Sequence, residues 1–314
     1  MGQITTNFPY GIRTPVVTGG GALAYRGGNN YWVGGTHAGT AGNSGLDPDH
    51  AVATIEQALA LCAADNGDTI HVLPGHTLAV SAAAGLDLDV AGVTIIGYGN
   101  GTNKPTVTLG TATTADVDID AANITLANFR FVSNINSLAN ILDVNAGNFT
   151  CIGCDFVSSS AKEVVCFVDL ATTYDDFVFE GCTFFQPTDP EATSNAVNTG
   201  CFYFVDSENI FVRNCFFYGN FESAIFHNKT TAATNVWVQN CTGYQALSDG
   251  EIYVMVTAMI GGESFCQWTV PANADLIETA FVGTASALWF SHASGYGNDS
   301  AGGAAGASLL TACS

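Results

Sequence analysis

The chain is short of positive charge. Four Arg and three Lys face 28 carboxylates over 314 residues, a formal net charge of −21, and charged residues of both signs make up only 11%. A surface of that sign repels nucleic acid and anionic bilayers, so neither is expected as a partner. The surplus of carboxylates serves solubility, and suits a salty medium where self-repulsion is screened. Long apolar runs are missing too: none approaches the roughly 20 residues that cross a bilayer. The opening Met1-Gly-Gln-Ile-Thr-Thr-Asn-Phe-Pro-Tyr10 lacks the basic start and apolar core of a secretory signal. A protein made in a reducing cytoplasm, with free thiols, is expected. Cys151-Ile-Gly-Cys154 has no second CxxC to match it, which argues against a zinc site.

What the chain has is a repeat. A nine-residue phrase returns as Asn123–Phe131, Asn148–Phe156, Asp176–Phe184, Asn209–Phe217 and Asn235–Gly243, with a weaker copy at Gly92–Tyr98. Successive starts at 92, 123, 148, 176, 209 and 235 lie 31, 25, 28, 33 and 26 residues apart, the period of a solenoid. The second and fourth positions are apolar (Ile124/Leu126, Phe149/Cys151, Phe177/Phe179, Ile210/Val212, Val236/Val238), and this period-two alternation marks inward strand residues. The sixth is only Asn or Gly: Gly97, Asn128, Gly153, Gly181, Asn214, Asn240. Those residues tolerate positive φ best, so the column reads as a tight corner. The seventh turns inward again as Tyr98, Phe129, Cys154, Cys182, Cys215 and Cys241, and the ninth is Phe131, Phe156, Phe184 and Phe217.

Strand, bend, strand and a variable loop describe one rung of an all-β, right-handed, single-stranded parallel β-helix. Stacked rungs would give internal Cys and Phe ladders and an Asn/Asp ladder at the first column. A propeller blade needs about 40–50 residues, more than a rung offers. Hydrophobic content of 47% is ample for a long core, and 35 glycines suit many tight bends.

The chain divides accordingly. Residues 1–42 form an extended N-terminal arm, with Phe8, Tyr10, Arg13 and Arg26 as candidate attachment residues and Tyr31-Trp-Val33 as a short strand. An arm of this composition takes its order from a neighbour, which points to an assembly. Residues 43–68 hold a capping helix, expected over Ala51–Ala64 from its acidic start, Pro48 and the apolar face of Val52, Ile55, Leu59 and Cys62. Such a cap covers the open end of the first rung. Rungs follow over 69–250. Residues 251–314 form C-terminal rungs, a cap and a Gly/Ala-rich tail, with the Asn/Gly-Cys corner lost.

Helix, then Gly67-Asp-Thr-Ile-His-Val-Leu-Pro-Gly-His76, then Asn-cornered rungs resembles the pectate-lyase-like β-helix superfamily over residues 43–245. The arm and the missing signal also resemble β-helix proteins of tailed-phage virions. That resemblance implies a virion location, other virion proteins as partners, a homo-oligomer (a trimer) and host surface polysaccharide as a further ligand.

Lyases of the superfamily resemble one another in setting calcium-binding carboxylates beside an Arg or Lys base. The only rung arginines, Arg130 and Arg213, stand in outward columns beside Asp155 and Glu180 and read as surface ion pairs. The polygalacturonase-like motifs are incomplete, since Asp175-Asp176 lacks its Asn-Thr-Asp and Gly-His-Gly companions. Asp87/Asp89 and Asp116/Asp118/Asp120 alternate along strands and read as solvated faces, with calcium binding as the alternative. No other cofactor and no catalytic set is expected, so the chain is expected not to be an enzyme. One outward feature stands out: the third column runs Thr125, Thr150, Val178, Phe211, Trp237, with Phe216 outward in the next strand. A stripe of large apolar side chains on adjacent rungs suits a subunit interface or a glycan platform. A decoration, spike or adaptor protein of a virion is the leading expectation, and a glycan-binding or glycan-cleaving tailspike the alternative.

Overall fold

A computed structural model of the chain describes residues 28–35, 39–159, 162–170, 174–186, 200–221, 224–228, 233–246, 251–255, 259–269, 281–283 and 288–292. The candidate attachment residues Phe8, Tyr10, Arg13 and Arg26 lie outside them. Each turn visits three parallel sheets in the same order, for example Thr125–Ala127, then Arg130–Ser133, then Leu138–Val144. Among the described residues the first sheet has ten strands, from Asn30–Val33 to Leu288–His292, and the other two have eight each. Within each sheet every strand pairs in parallel with its counterpart one turn on, so the chain is the parallel β-helix its repeat implies.

Register converts the repeat's columns into stacks. Leu126, Cys151, Phe179, Val212 and Val238 are paired partners in the first sheet, all buried. Phe131, Phe156, Phe184 and Phe217 stack with ring centroids 5.1, 4.7 and 5.1 Å apart and planes within 14°. Each buried phenyl contributes about 1.5–3 kcal/mol by leaving water, and the stacking adds to it. The corner column is left-handed at Asn128, Gly153, Gly181, Asn214 and Asn240, with φ between 49° and 64°. In the Cys column each thiol donates to the carbonyl of the inward residue one rung back. Cys182 reaches Cys151 O and Cys215 reaches Phe179 O at 3.6 Å, and Cys241 reaches Val212 O at 3.6 Å. These are small core side chains with a weak donor. The cysteines among the described residues are all free, and burial holds the Cys201 thiol well above its usual range.

The first column proves to be a second left-handed corner: Gly92, Asn123, Asn148, Asp176, Asn209 and Asn235 all have φ between 55° and 74°. Its side chains form a ladder, with Asn235 Nδ2 donating to Asn209 Oδ1 at 2.6 Å and Asn209 Nδ2 to Asp176 Oδ1 at 3.0 Å.

Three expectations need correction. The cap is not a helix over Ala51–Ala64. A 3-10 turn at Pro48–His50 precedes an α-helix limited to Ile55–Leu59, with Thr54 as N-cap accepting from Gln57 N–H. Ala51 and Val52 are extended because Val52 exchanges backbone hydrogen bonds with the first strand, its N–H to Trp32 O and its O from Gly34 N–H, both 2.8 Å. Buried Asp68 fastens this cap, taking Asn29 N–H at 2.6 Å, Ala63 N–H at 2.7 Å and Asn66 Nδ2 at 2.7 Å.

Gly97 ends a strand without positive φ, and Tyr98 is exposed at 39%, not inward. Eight residues, 98–105, separate Thr94–Gly97 from Thr106–Leu109, where later rungs turn in two. The third correction is that the corner persists past 250: Phe265 takes it at φ 57°, and Cys266 follows, buried, donating to Val238 O at 3.4 Å. Past the last repeat the inward column admits a carboxylate. Glu263, 3% exposed, pairs with Val238, and its Oε2 accepts from Tyr253 Oη at 2.6 Å and Trp268 Nε1 at 2.8 Å. Donors of this kind offset the cost of a core carboxylate. Among the described residues no helix is long and apolar enough to cross a membrane.

Candidate functional site

Among the described residues, the third sheet carries a cluster of acidic side chains whose oxygens converge. In four successive rungs one Asp stands between two inward apolar residues: Leu86-Asp87-Leu88, Val117-Asp118-Ile119, Leu142-Asp143-Val144 and Val168-Asp169-Leu170. Alternation turns each Asp outward. Parallel register then aligns all four, Asp87 with Asp118, Asp118 with Asp143 and Asp143 with Asp169. Rungs repeat about every 4.8 Å, so the row sets like charge on like charge. The column continues as Tyr203 and His227, whose rings lie 5.2 Å apart at 34°.

Around Asp118 the row thickens. Asp116, Asp118 and Asp143 each offer an oxygen within 4.8 Å of the others. Asp116 is only 8% exposed, and its Oδ1 accepts from Ala84 N–H at 2.6 Å. Asp87 Oδ1 and Asp118 Oδ1 are buried and have no hydrogen-bond partner among the described residues. Burial, followed by the charges of Asp116 and Asp143, pushes Asp118 up to about 7. Burial, followed by Asp120 and Asp89, also raises Asp87. Burial raises Asp143 as well, with Asp116 adding to it and Asn145 and Asn140 opposing through hydrogen bonds. These are not the freely solvated faces expected: Asp116 sits under the segment carrying Ala84, and water no longer screens its neighbours fully.

Two kinds of chemistry fit this geometry. Hard oxygen donors that converge with no ion pair to a cationic side chain among the described residues suit a divalent ion of the calcium type, which Asp116, Asp118 and Asp143 could hold. Alternatively, a carboxyl that keeps its proton near neutrality beside carboxylates within 4.8 Å has the division of labour of a glycosidic acid and its partner. Ion pairs among the described residues lie elsewhere. Arg213 Nε pairs with Glu180 Oε2 at 3.0 Å, as the columns imply. Arg130 does not pair with Asp155, which instead takes Lys104 Nζ at 2.9 Å because the 98–105 loop delivers that lysine to it. The Arg130 Nε is left buried with no hydrogen bond.

The remaining sequence candidates lie on other faces. Val178, Phe211 and Trp237 are register partners in the first sheet, partly exposed, with Trp237 Nε1 donating to Asn235 Oδ1 at 2.7 Å. Phe216 is 44% exposed, between Thr183 and Thr242. Beside it runs a stack absent from the sequence reading, Phe185–Tyr218–Tyr244, with centroids 5.5 and 5.2 Å apart. These rings spend their faces on one another. Asp143, Asp169 and Tyr203 are not among the sequence candidates, although the recurring apolar-Asp-apolar triplet marks the first two.

No protein-family model matches the chain, and no curated protein matches it. Among solved structures, one described as a rhamnogalacturonan lyase is similar in fold, with a TM-score of 0.50 and 14% identity, covering 76% of this chain and 74% of that one. The chain thus shares a parallel β-helix fold with that structure. The expectation that it is not an enzyme is overturned: the neighbour sharing its fold is, by its name, a lyase. At that identity the likeness shows the fold alone, and the fold gives no ground for excluding an enzyme.

Proposed function

We propose that the chain binds and cleaves a polysaccharide along its third sheet, as the β-helix body of a tailspike-type virion protein. The observation that carries this reading is the in-register row of Asp87, Asp118, Asp143 and Asp169, with Asp118 pushed up to about 7 at its centre. A linear chain of sugars matches a linear row of acceptors, and a proton-holding Asp118 beside Asp116 and Asp143 supplies an acid with a carboxylate partner. The fold likeness to a protein named for lyase action on a glycan supports the substrate class. Reducing-end release from a panel of bacterial surface polysaccharides tests it. Asp118→Asn should lower the rate at least 100-fold while leaving circular dichroism unchanged; a variant as active as the parent would sink the assignment.

The virion setting rests on a different observation, the Val178–Phe211–Trp237 register with Phe216 nearby, which suits contact with further copies, in a trimer, or with other virion proteins. Trp237→Ser with Phe211→Ser should dissociate the oligomer in sedimentation. An intact oligomer, or absence of the chain from purified particles by mass spectrometry, would remove this part of the reading.

A further inference from the structure

The 98–105 loop does more than interrupt the repeat. It turns Tyr98 outward onto His71, one rung back, and three side chains form a chain of hydrogen bonds. Tyr98 Oη lies 2.8 Å from His71 Nδ1, and His71 Nε2 lies 2.9 Å from Asn30 Oδ1. Asn30 Oδ1 only accepts, so Nε2 carries the hydrogen, and Nδ1 takes the hydrogen of the Tyr98 hydroxyl. Trp32 lies under both rings, its centroid 4.5 Å from His71 and 6.4 Å from Tyr98. Burial keeps His71 below the ordinary imidazole range, hence neutral and able to accept.

The arrangement is built, not incidental. Tyr98 N–H donates to Val72 O at 2.9 Å, and Asn128 Nδ2 clamps the carbonyls on both sides of it, Gly97 O at 2.7 Å and Gly99 O at 3.1 Å. Gly99 has φ 110°, and a Cβ there would stand 2.4 Å from Asn103 O, so the loop requires glycine to aim Tyr98. A place where the repeat breaks its own rule and fixes a titratable pair is where function is expected.

We propose that Tyr98 is a nucleophile for carboxylic esters, with His71 as its base and Asn30 as the positioning residue. This is the logic of a hydroxyl, an imidazole and a third group that orients it, and it does not depend on the acidic row. Tyr98 Oη bonds to the ester carbonyl carbon as its proton moves to His71 Nδ1. The bond from that carbon to the alcohol oxygen breaks, the alcohol leaves with the proton from Nδ1, and the acyl group stays on Tyr98. The chemical class is a small O-acyl ester such as an acetylated hydroxyl.

The protein carries its own control, because Tyr174 is as exposed, at 43% against 39%. The full chain is treated with p-nitrophenyl acetate and acetylation is mapped by peptide mass spectrometry. Tyr98 should acquire acetyl at least tenfold faster than Tyr174. His71→Gln should abolish the difference, Asn30→Ala should reduce it, and Asn30→Asp, which still accepts from Nε2, should restore it. Equal labelling of Tyr98 and Tyr174 in the unaltered protein overturns the proposal without recourse to any variant. So does an unchanged Tyr98 rate in a folded His71→Gln protein.

Discussion

Inside the solenoid and on its third face, one rule gives opposite results. In-register stacking sets Phe184 between Phe156 and Phe217, with rings at 4.7 and 5.1 Å, and it sets Asp118 between Asp87 and Asp143. For the rings, each added rung brings dispersion and aromatic contact. For the carboxylates each added rung brings repulsion, at a surface buried enough to weaken screening by water. A parallel solenoid therefore amplifies whatever its column repeats. An unfavourable column kept through four rungs implies something that neutralises it, protons or a cation.

The comparison breaks most visibly from the inside. Phe184→Ala should cost about 3–5 kcal/mol, read as a shift in urea midpoint. A loss under about 1 kcal/mol would mean that Phe167 and Phe202, which also meet Phe184, close the gap and that the ladder matters little.

On the acidic face the sign reverses. Asp118 is raised from 3.8 to about 7, so the folded state holds its proton more tightly than the unfolded chain. The stability this contributes is complete below the unfolded value and is lost as pH rises through about 7. With chelator present, melting temperature should fall from pH 5 to pH 8, and Asp118→Asn should flatten that fall. At pH 8 the variant should gain about 1–3 kcal/mol, less than the full displacement because the row is partly in water. Calcium should raise the parent's melting temperature at pH 8 and leave the variant unmoved. Equal parental stability at both pH values would show that the row is not repelled.

The smallest effect sharpens the corner column. Phe265 holds a left-handed conformation while 72% exposed, where every other described corner of the column uses Asn or Gly. Phe265→Asn should add about 1 kcal/mol in thermal denaturation, and a loss would mean that the ring's surface contacts outweigh its backbone cost.

The parts legible in the sequence are those where one residue type answers one local demand. Asn128, Gly153 and Gly181 announced a left-handed bend, and Leu126, Cys151 and Phe179 an inward strand, before any neighbour was known. The cap's extent is not legible, because Val52 fits a helical face as well as the edge bridge to Val33 that it makes. The outward placement of Tyr98 is not legible either, because eight loop residues replace a tight turn and the column pattern carries no trace of that. Asp143 and Asp169, each alone in its strand, look like ordinary outward residues in the sequence.

The sequence by itself determined the rod: its period, its inward columns and its bends. Those follow from alternation and from φ preferences, which act over a few residues. Only the tertiary structure decided which outward residues meet. Asp87, Asp118 and Asp143 become a row, and Tyr98 comes to rest on His71, through rung register and loop length. Packing constrains what points inward rung by rung. It leaves the outer face free, so side chains far apart in sequence meet there only once the turns are stacked.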